Sequence, residues 1–124
     1  MNTIKDFTDL RVWQSAHQLA ILLYKTRAPF PKEEVFGLAG QLRRAGVSVS
    51  SNITEGFGRN FSKEKVLFYH IAQSSLREVY SQVLLAKDIG YVPEQNTQLI
   101  FEQIVSIGKM LTALIKTVSS RPIS

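Results

Sequence analysis

Cysteine is absent from the 124-residue chain, and its absence removes several kinds of site at once. Without thiols there is no disulfide framework, no thiolate metal site and no cysteine nucleophile. A chain of this length can bury a hydrophobic core without such cross-links, so we expect one domain over residues 1–124. The lack of cysteine also suits a reducing compartment, which favours a cytoplasmic location.

Long apolar runs are missing as well. The first residues, Met1 to Asp9, lack the basic start and apolar stretch of a secretion signal. No segment approaches the roughly 20 apolar residues that cross a bilayer. We therefore expect no membrane partner.

Acidic residues are in the minority, because 15 Lys and Arg stand against 10 Asp and Glu and give a net charge of +5. After Glu102 the chain carries Lys109, Lys116 and Arg121 and no acidic residue. The outer surface of the last part of the chain should therefore carry charge of one sign. Such a surface can bind nucleic-acid phosphates or simply keep the protein soluble, and composition leaves both interpretations open.

Hydrophobic periodicity predicts a first helix that Asp9 caps and that runs to about Arg27. The segment Ala28–Pro31 should stop it, because proline lacks a donor and restricts the residue before it. The predicted apolar stripe comprises Leu10, Trp13, His17, Ala20 and Tyr24, widened by Ala16, Leu19 and Leu23.

A second helix should begin near Lys32, with Glu33 and Glu34 in its first turn, where the helix dipole favours negative charge. Its inward positions are Leu38, Leu42, Ala45, Val49 and Ile53. Val47–Ser50 alternates apolar and polar residues as a half-buried strand would, although the helical spacing continues through it. Periodicity favours the helix here, and a short strand remains the alternative prediction. Gly56 ends the pattern.

Two further helices follow. Ser62 is expected to cap a third helix that ends before Gly90. Its apolar positions are Val66, Tyr69, Ile71, Leu76, Val79, Val83 and Leu84. A fourth helix carries a coiled-coil seam at Ile100, Ile104, Ile107, Leu111, Leu114 and Val118. Long helices joined by short loops predict an all-α, antiparallel up-and-down four-helix bundle.

The last two helices carry more apolar surface than one bundle subunit needs. The third is apolar or aromatic at most positions from Val66 to Ala72, and the fourth has Phe101 and Val105 away from its seam. A helix that is apolar on two sides is buried on two sides. We therefore expect a homo-oligomer with Phe68 and Phe101 at the interface between subunits.

Several short motifs follow one another along most of the chain. The first is Asp6–Gln14, DFTDLRVWQ, and the others are Phe36–Leu38, Gln41–Ala45, Ser48, Ser51–Arg59, Phe68–Tyr69, Ala72, Ser75–Leu76, Glu78 and Ala86–Tyr91. In this order and spacing they resemble the four-helix bundle proteins encoded in bacterial 23S rRNA intervening sequences, and Asp6–Gln14 is similar to the opening of that family. The resemblance implies an antiparallel four-helix bundle that assembles into a ring, commonly a pentamer, and it favours the helix over the strand at Val47–Ser50. It implies little about biochemical activity.

Three positions depart from the family pattern. Ser50 stands where the family usually has proline, and Gly46 and Thr54 stand where it usually has alanine. Proline inside a helix removes a hydrogen bond and bends the axis, so a straighter second helix is expected here. The number of subunits in the ring is correspondingly open.

The most distinctive polar feature combines Arg43, Arg44, Asn52, Glu55 and Arg59. Glu55 and Arg59 are four residues apart and can pair on one helix face. In one interpretation Asn52 and Glu55 form a structural polar motif that satisfies arginines or loop amides inside the assembly. In the other, the three arginines, together with the last helix's two lysines, bind nucleic-acid phosphates.

Motifs for catalysis or cofactors are weak. A di-iron bundle needs Glu three residues before each ligating histidine, but Gln14 and Leu67 stand three residues before His17 and His70. There is no Gly-x-Ser-x-Gly elbow, and the pair Gly56 and Gly58 lacks the third glycine of a dinucleotide site. We therefore predict no catalytic residue, no metal and no cofactor.

Together these patterns predict a non-enzymatic, oligomeric helical protein. It would bind RNA, DNA or a nucleic-acid-processing protein partner through Arg43, Arg44, Arg59, Lys109 and Lys116. The alternative is a structural or protein-interaction scaffold without affinity for nucleic acid.

Overall fold

The computed structural model describes residues 3–26, 31–32 and 37–121, and in these residues it contains four α-helices and no strand. They are α1 (Arg11–Thr26), α2 (Leu38–Phe57), α3 (Ser62–Asp88) and α4 (Glu94–Ser119). A short 3₁₀ helix, Phe7–Asp9, precedes α1. The all-α prediction is confirmed.

Each helix packs against two neighbours, in the order α1, α2, α3, α4 and back to α1. Between α2 and α3, Gly56 faces Tyr69 and Ser48 contacts Ser75. Between α3 and α4, Gln73 contacts Thr112 and Tyr80 contacts Phe101. In both pairs the residue numbers rise along one helix as they fall along the other, so these neighbours are antiparallel. The core lies between the four helices and includes Leu19, Leu23, Val49, Ile53, Leu76, Val79, Val83, Ile100, Ile107 and Leu111.

The start of α1 differs from the prediction. Asp9 does not cap α1, because it belongs to the 3₁₀ helix and its carboxylate accepts the backbone N–H groups of Lys5 and Asp6 at 2.9 and 3.0 Å. The buried face of α1 comprises Val12, Ala16, Leu19, Ala20, Leu23 and Thr26. His17 and Tyr24, which were predicted on that face, are exposed. These amphipathic rings lie at the edge of the stripe, where their polar atoms reach water.

Helix α2 begins at Leu38, later than the predicted start near Lys32, while Glu33 and Glu34 lie outside the described residues. The helix continues through the segment Val47–Ser50, which excludes the strand. Four of its predicted inward residues, Leu42, Ala45, Val49 and Ile53, are buried. The Ser50 hydroxyl donates to the Val47 carbonyl at 3.1 Å, so this side chain is satisfied within its own helix.

Helix α3 begins and ends close to the residues predicted from the sequence. Phe61 rather than Ser62 is the N-cap residue, and α3 ends at Asp88. Gly90 has φ +86°, a left-handed conformation that glycine adopts at low cost. The Tyr91 N–H then donates to the Ala86 carbonyl at 2.8 Å, which satisfies an acceptor that the helix end leaves free.

Helix α4 supplies the seam that the sequence predicts. Ile100, Ile104, Ile107, Leu111 and Val118 are buried, while Leu114 is partly buried. By length and composition alone, α4 is also apolar enough to cross a membrane, which corrects the expectation that no segment comes near that limit. A core helix of a bundle passes the same test, and this helix places its seam in the core.

Candidate functional site

The five basic residues predicted to bind nucleic acid lie in different parts of the bundle. Arg43 and Arg44 lie near the start of α2, about 20 Å along the helix from its end. Arg59 lies just beyond that end. Lys109 and Lys116 are exposed on α4, seven residues and about 10 Å apart on one face.

Arg43 and Arg44 point to different surroundings although they are adjacent in sequence. The guanidinium of Arg43 lies 4.8 Å from the ring centroid of Tyr24 on α1, and its Nε is buried without an acceptor among the described residues. Arg44 is exposed. Arg43 therefore helps to join α1 and α2, and only Arg44 of this pair is free to meet a large ligand.

Arg59 is held by two neighbours. Its Nη2 lies 3.4 Å from Oε2 of Glu55, the partner four residues earlier, and its guanidinium lies 4.5 Å from the ring centroid of Phe68. The ion pair is exposed, and such pairs contribute at most about 1 kcal/mol. The neighbouring carboxylate reduces the attraction of Arg59 for a phosphate.

Asn52, the other member of the predicted polar motif, joins α2 to α3 rather than contacting an arginine. Its Nδ2 donates to the Ser48 carbonyl at 2.8 Å and to Ser48 Oγ at 3.1 Å. Ser48 Oγ in turn lies 2.8 Å from Ser75 Oγ on α3. These small side chains form a polar link across a close helix contact.

A shallow groove between α3 and α4 brings two cationic side chains together. The groove has a volume of about 470 Å³ and is lined by Arg77 and Lys109, and no acidic residue is among its described lining residues. The other lining residues are Gln73, Leu76, Val105, Gly108 and Thr112. Lys116 lies two turns beyond Lys109 on α4. Lys116 is not among the residues that line the groove, and we call the groove that Arg77 and Lys109 line the basic groove.

Arg77 is not among the residues that the sequence predicts at this site. No motif includes it, and its only signal is its place one residue after Leu76, a core residue that faces Gly108 of α4. The position of Arg77 beside Lys109 depends on how α3 and α4 pack, which the sequence pattern alone does not give. Its Nη2 donates to Ser74 Oγ at 3.2 Å, which leaves other guanidinium donors available.

Phe68 and Phe101, the predicted interface residues, are both partly buried within one subunit. Phe68 lies under Arg59, and Phe101 contacts the ring of Tyr80 edge-to-face, with centroids 5.3 Å apart. The side chains most exposed near them are Leu67 at 58% and Val105 at 56%.

Exposed large apolar residues include two groups on faces that meet along α3, while others, Ile4, Tyr24, Val47, Phe61 and Leu99, lie elsewhere. Leu67, Ile71, Leu85 and Ile89 recur at helical spacing on one side of α3 and form what we call the outer apolar stripe, with the polar residues Ser74 and Glu78 between its two halves. On the side of α3 that faces α4, Tyr80, Phe101 and Val105 form a second group, which we call the aromatic patch.

Both histidines have identifiable neighbours. The His17 ring stacks on Trp13, with centroids 4.7 Å apart, and His70 Nδ1 lies 3.0 Å from Gln73 Oε1. Across the described ranges there is no group of three or more side chains that could hold a metal ion.

The family model for the 23S rRNA-intervening sequence protein matches residues 8–113, which is most of the chain. The chain belongs to this family. A crystal structure from Bacteroides thetaiotaomicron, of a protein with unknown function from the S23 ribosomal protein family, is similar in fold. The TM-score is 0.78 at 20% identity, over 85% of this chain and 98% of that chain. The curated proteins include no match.

Proposed function

We propose that this protein is a non-enzymatic helical-bundle adaptor that assembles with copies of itself and binds RNA or DNA phosphates through the basic groove. The assembly is a homo-oligomeric ring, and the family resemblance favours five subunits. The observation that carries the binding proposal is the groove between α3 and α4, which Arg77 and Lys109 both line and which has no acidic residue in its described lining.

The two exposed apolar surfaces support a ring. A closed ring with more than two subunits needs two different, complementary patches on each subunit, whereas a symmetric dimer uses one patch twice. The outer apolar stripe and the aromatic patch lie on different sides of α3, so one subunit can present the first to one neighbour and the second to another. Fully burying a large apolar side chain contributes about 1.5–3 kcal/mol, so several half-exposed ones provide a substantial driving force.

The charge distribution supports a phosphate ligand. Lys109 and Lys116 are exposed on one face of α4, and Arg77 contributes a planar group that can bind phosphate through two hydrogen bonds. A ring repeats this surface in every subunit, which multiplies weak contacts along one nucleic-acid chain. Because Val105 borders both the aromatic patch and the basic groove, the groove would lie beside the boundary between subunits.

RNA is the first nucleic acid to test. The family description refers to 23S rRNA intervening sequences, and the similar crystal structure is described as a member of a ribosomal protein family. These words describe relatives and do not identify a ligand.

A salt titration of fluorescently labelled single-stranded RNA and duplex DNA tests the proposal. Phosphate contacts make the logarithm of the binding constant fall linearly with the logarithm of salt concentration, by about 0.7 per contact for single strands and 0.9 for duplex DNA. We expect Arg77→Gln combined with Lys109→Gln to lower the RNA slope by about 1.4, because two contacts are lost. The matched control is Lys25→Gln with Lys87→Gln, which removes the same charge from exposed positions outside the groove.

Two outcomes would contradict the proposal. Absence of binding at low salt would favour a scaffold without nucleic-acid affinity. Equal losses in the groove variant and the control would show that net charge, rather than this groove, attracts the nucleic acid.

A further inference from the structure

A second cavity lies at the end of the bundle where α1 begins and α4 ends. Its volume is about 470 Å³, within the range of small-molecule sites. Its walls are mainly hydrocarbon and are formed by Ile4, Leu10, Phe57, Ala113, Leu114 and Val118. Four polar or charged residues, Lys65, Tyr69, Thr117 and Arg121, complete the lining.

Lys65 is fixed at one side of this cavity. Its Nζ donates to the Phe57 carbonyl at 2.7 Å and to the Gly56 carbonyl at 3.4 Å, both at the end of α2. An ammonium group has three donors, so one N–H remains available. Burial, followed by the nearby charge of Arg121, lowers the pKa of Lys65.

Tyr69 adds a neutral donor to the same cavity. Its ring is buried between α2 and α3, with only 2% of the residue exposed. Burial raises the pKa of the Tyr69 hydroxyl, while Arg121 acts in the opposite direction. The phenol therefore keeps its proton at neutral pH and can donate a hydrogen bond.

No carboxylate is among the described residues that line this cavity. Within the described lining, two cations and a phenol therefore share an apolar site without an anionic side chain. Lys65 has one N–H left over from the two carbonyls that it contacts, and Arg121 adds guanidinium donors, so an anionic group placed between them would accept charge-assisted hydrogen bonds.

We propose that this cavity binds a small amphipathic anion, in which one carboxylate or phosphate lies between Lys65 and Arg121 and a hydrocarbon chain lies against Leu10, Leu114 and Val118. A nucleobase fits the lining less well, because among the described lining residues Tyr69 and Thr117 alone supply uncharged polar side chains. The site is separate from the basic groove and does not depend on the proposed function.

Isothermal titration calorimetry and amide NMR shifts test the site with octanoate and octyl phosphate. Three compounds serve as comparators. Octylamine carries the opposite charge, octanol carries no charge, and inorganic phosphate has no hydrocarbon chain. We expect both octyl anions to bind at one site and to shift the amide signals of Lys65, Tyr69 and Thr117. They should bind at least about tenfold more tightly than any comparator, since a hydrogen bond to a charged group contributes that much.

A second experiment measures binding of the protein to vesicles that contain anionic phospholipids. Vesicle binding that octyl phosphate displaces would identify lipid as a source of the same chemistry.

Variants separate this site from general charge effects. Arg121→Gln should weaken octanoate binding about tenfold or more, and Ala113→Phe should abolish it by filling the cavity. Lys63→Gln removes the same charge from an exposed position at the same end of the bundle and should leave binding unchanged. Thermal unfolding of each variant checks that it folds.

The inference is overturned if neither octyl anion binds at millimolar concentration, or if octanol binds as tightly as octanoate. It is also overturned if folded Arg121→Gln binds as the unmodified protein does, or if Lys63→Gln loses as much affinity as Arg121→Gln.

Discussion

At the residue scale, the contact between Gly56 and Tyr69 shows why glycine is required at the end of α2. A Cβ added to Gly56 would lie 2.5 Å from Cε1 and 2.8 Å from Cδ1 of the buried Tyr69 ring. A large buried ring has little room to move, because protein interiors are close-packed.

Gly56→Ala should therefore destabilise the protein by about 1–3 kcal/mol, the usual cost of overpacking. Gly58→Ala is the matched control, because its added Cβ would lie 3.7 Å from the nearest atoms and its φ of −77° suits alanine. Its effect should stay within about 0.5 kcal/mol. Chemical denaturation measures both values, and equal losses would mean that the Tyr69 contact is not responsible.

Tyr69 also predicts a pH dependence. Because burial raises its pKa in the folded protein above the unfolded value of about 10, the folded state holds this proton more tightly. The stability that Tyr69 contributes is therefore fully present below pH 10 and is lost as pH rises through the folded pKa. Lys65 has the opposite effect on stability as pH rises. Its pKa is lowered in the folded protein, so the free-energy cost of burying its charge disappears as the amine loses its proton.

Comparison with Tyr69→Phe isolates the tyrosine. As pH rises above about 10, the free energy of unfolding of the unmodified protein should fall relative to that of the variant. Denaturant titrations across that range measure the difference. Parallel curves for the two proteins would show that the folded state does not raise this pKa.

At the scale of elements, α2 and α3 are joined by the polar link of Asn52, Ser48 and Ser75. Ser75 is 7% exposed, so its hydroxyl needs a partner inside the protein. Ser75→Ala removes that partner from Ser48 Oγ, and we expect a loss of about 1 kcal/mol in unfolding free energy. Ser81→Ala, on an exposed face of α3, should change stability by less than about 0.5 kcal/mol. An unchanged Ser75→Ala variant would mean that the link does not stabilise this helix pair.

The seam of α4 was predictable because it contains only aliphatic residues at strict heptad spacing. The face of α1 was less predictable, because Trp13, His17 and Tyr24 can lie at the rim of a core as well as inside it. Ala16, Leu19 and Leu23, which were predicted to widen the stripe, are buried. The candidate site shows the same limit. Exposed lysines on α4 followed from the sequence, whereas Arg77 joined them only through the packing of α3 against α4.

At the scale of the whole molecule, one subunit leaves large apolar side chains in water on two sides of α3. Leu67 is 58% exposed and Leu85 is 52% exposed, and neither belongs to the core of the bundle. Soluble monomers seldom carry extended apolar patches without a partner. This surface supports the proposed self-assembly more directly than it supports nucleic-acid binding, and the proposed ring would determine where the basic grooves lie.

Sedimentation velocity of the purified protein, with and without Leu67→Gln and Ile71→Gln, tests self-assembly most directly. We expect a single species several times heavier than the 14.0 kDa chain, and a shift to smaller species in the double variant, because one of the two ring contacts is weakened. Val47→Gln, at an exposed apolar position on α2 away from both surfaces, should leave the assembly unchanged. A stable 14.0 kDa monomer at millimolar concentration, or an assembly that the double variant does not alter, would contradict the role assigned to the outer apolar stripe.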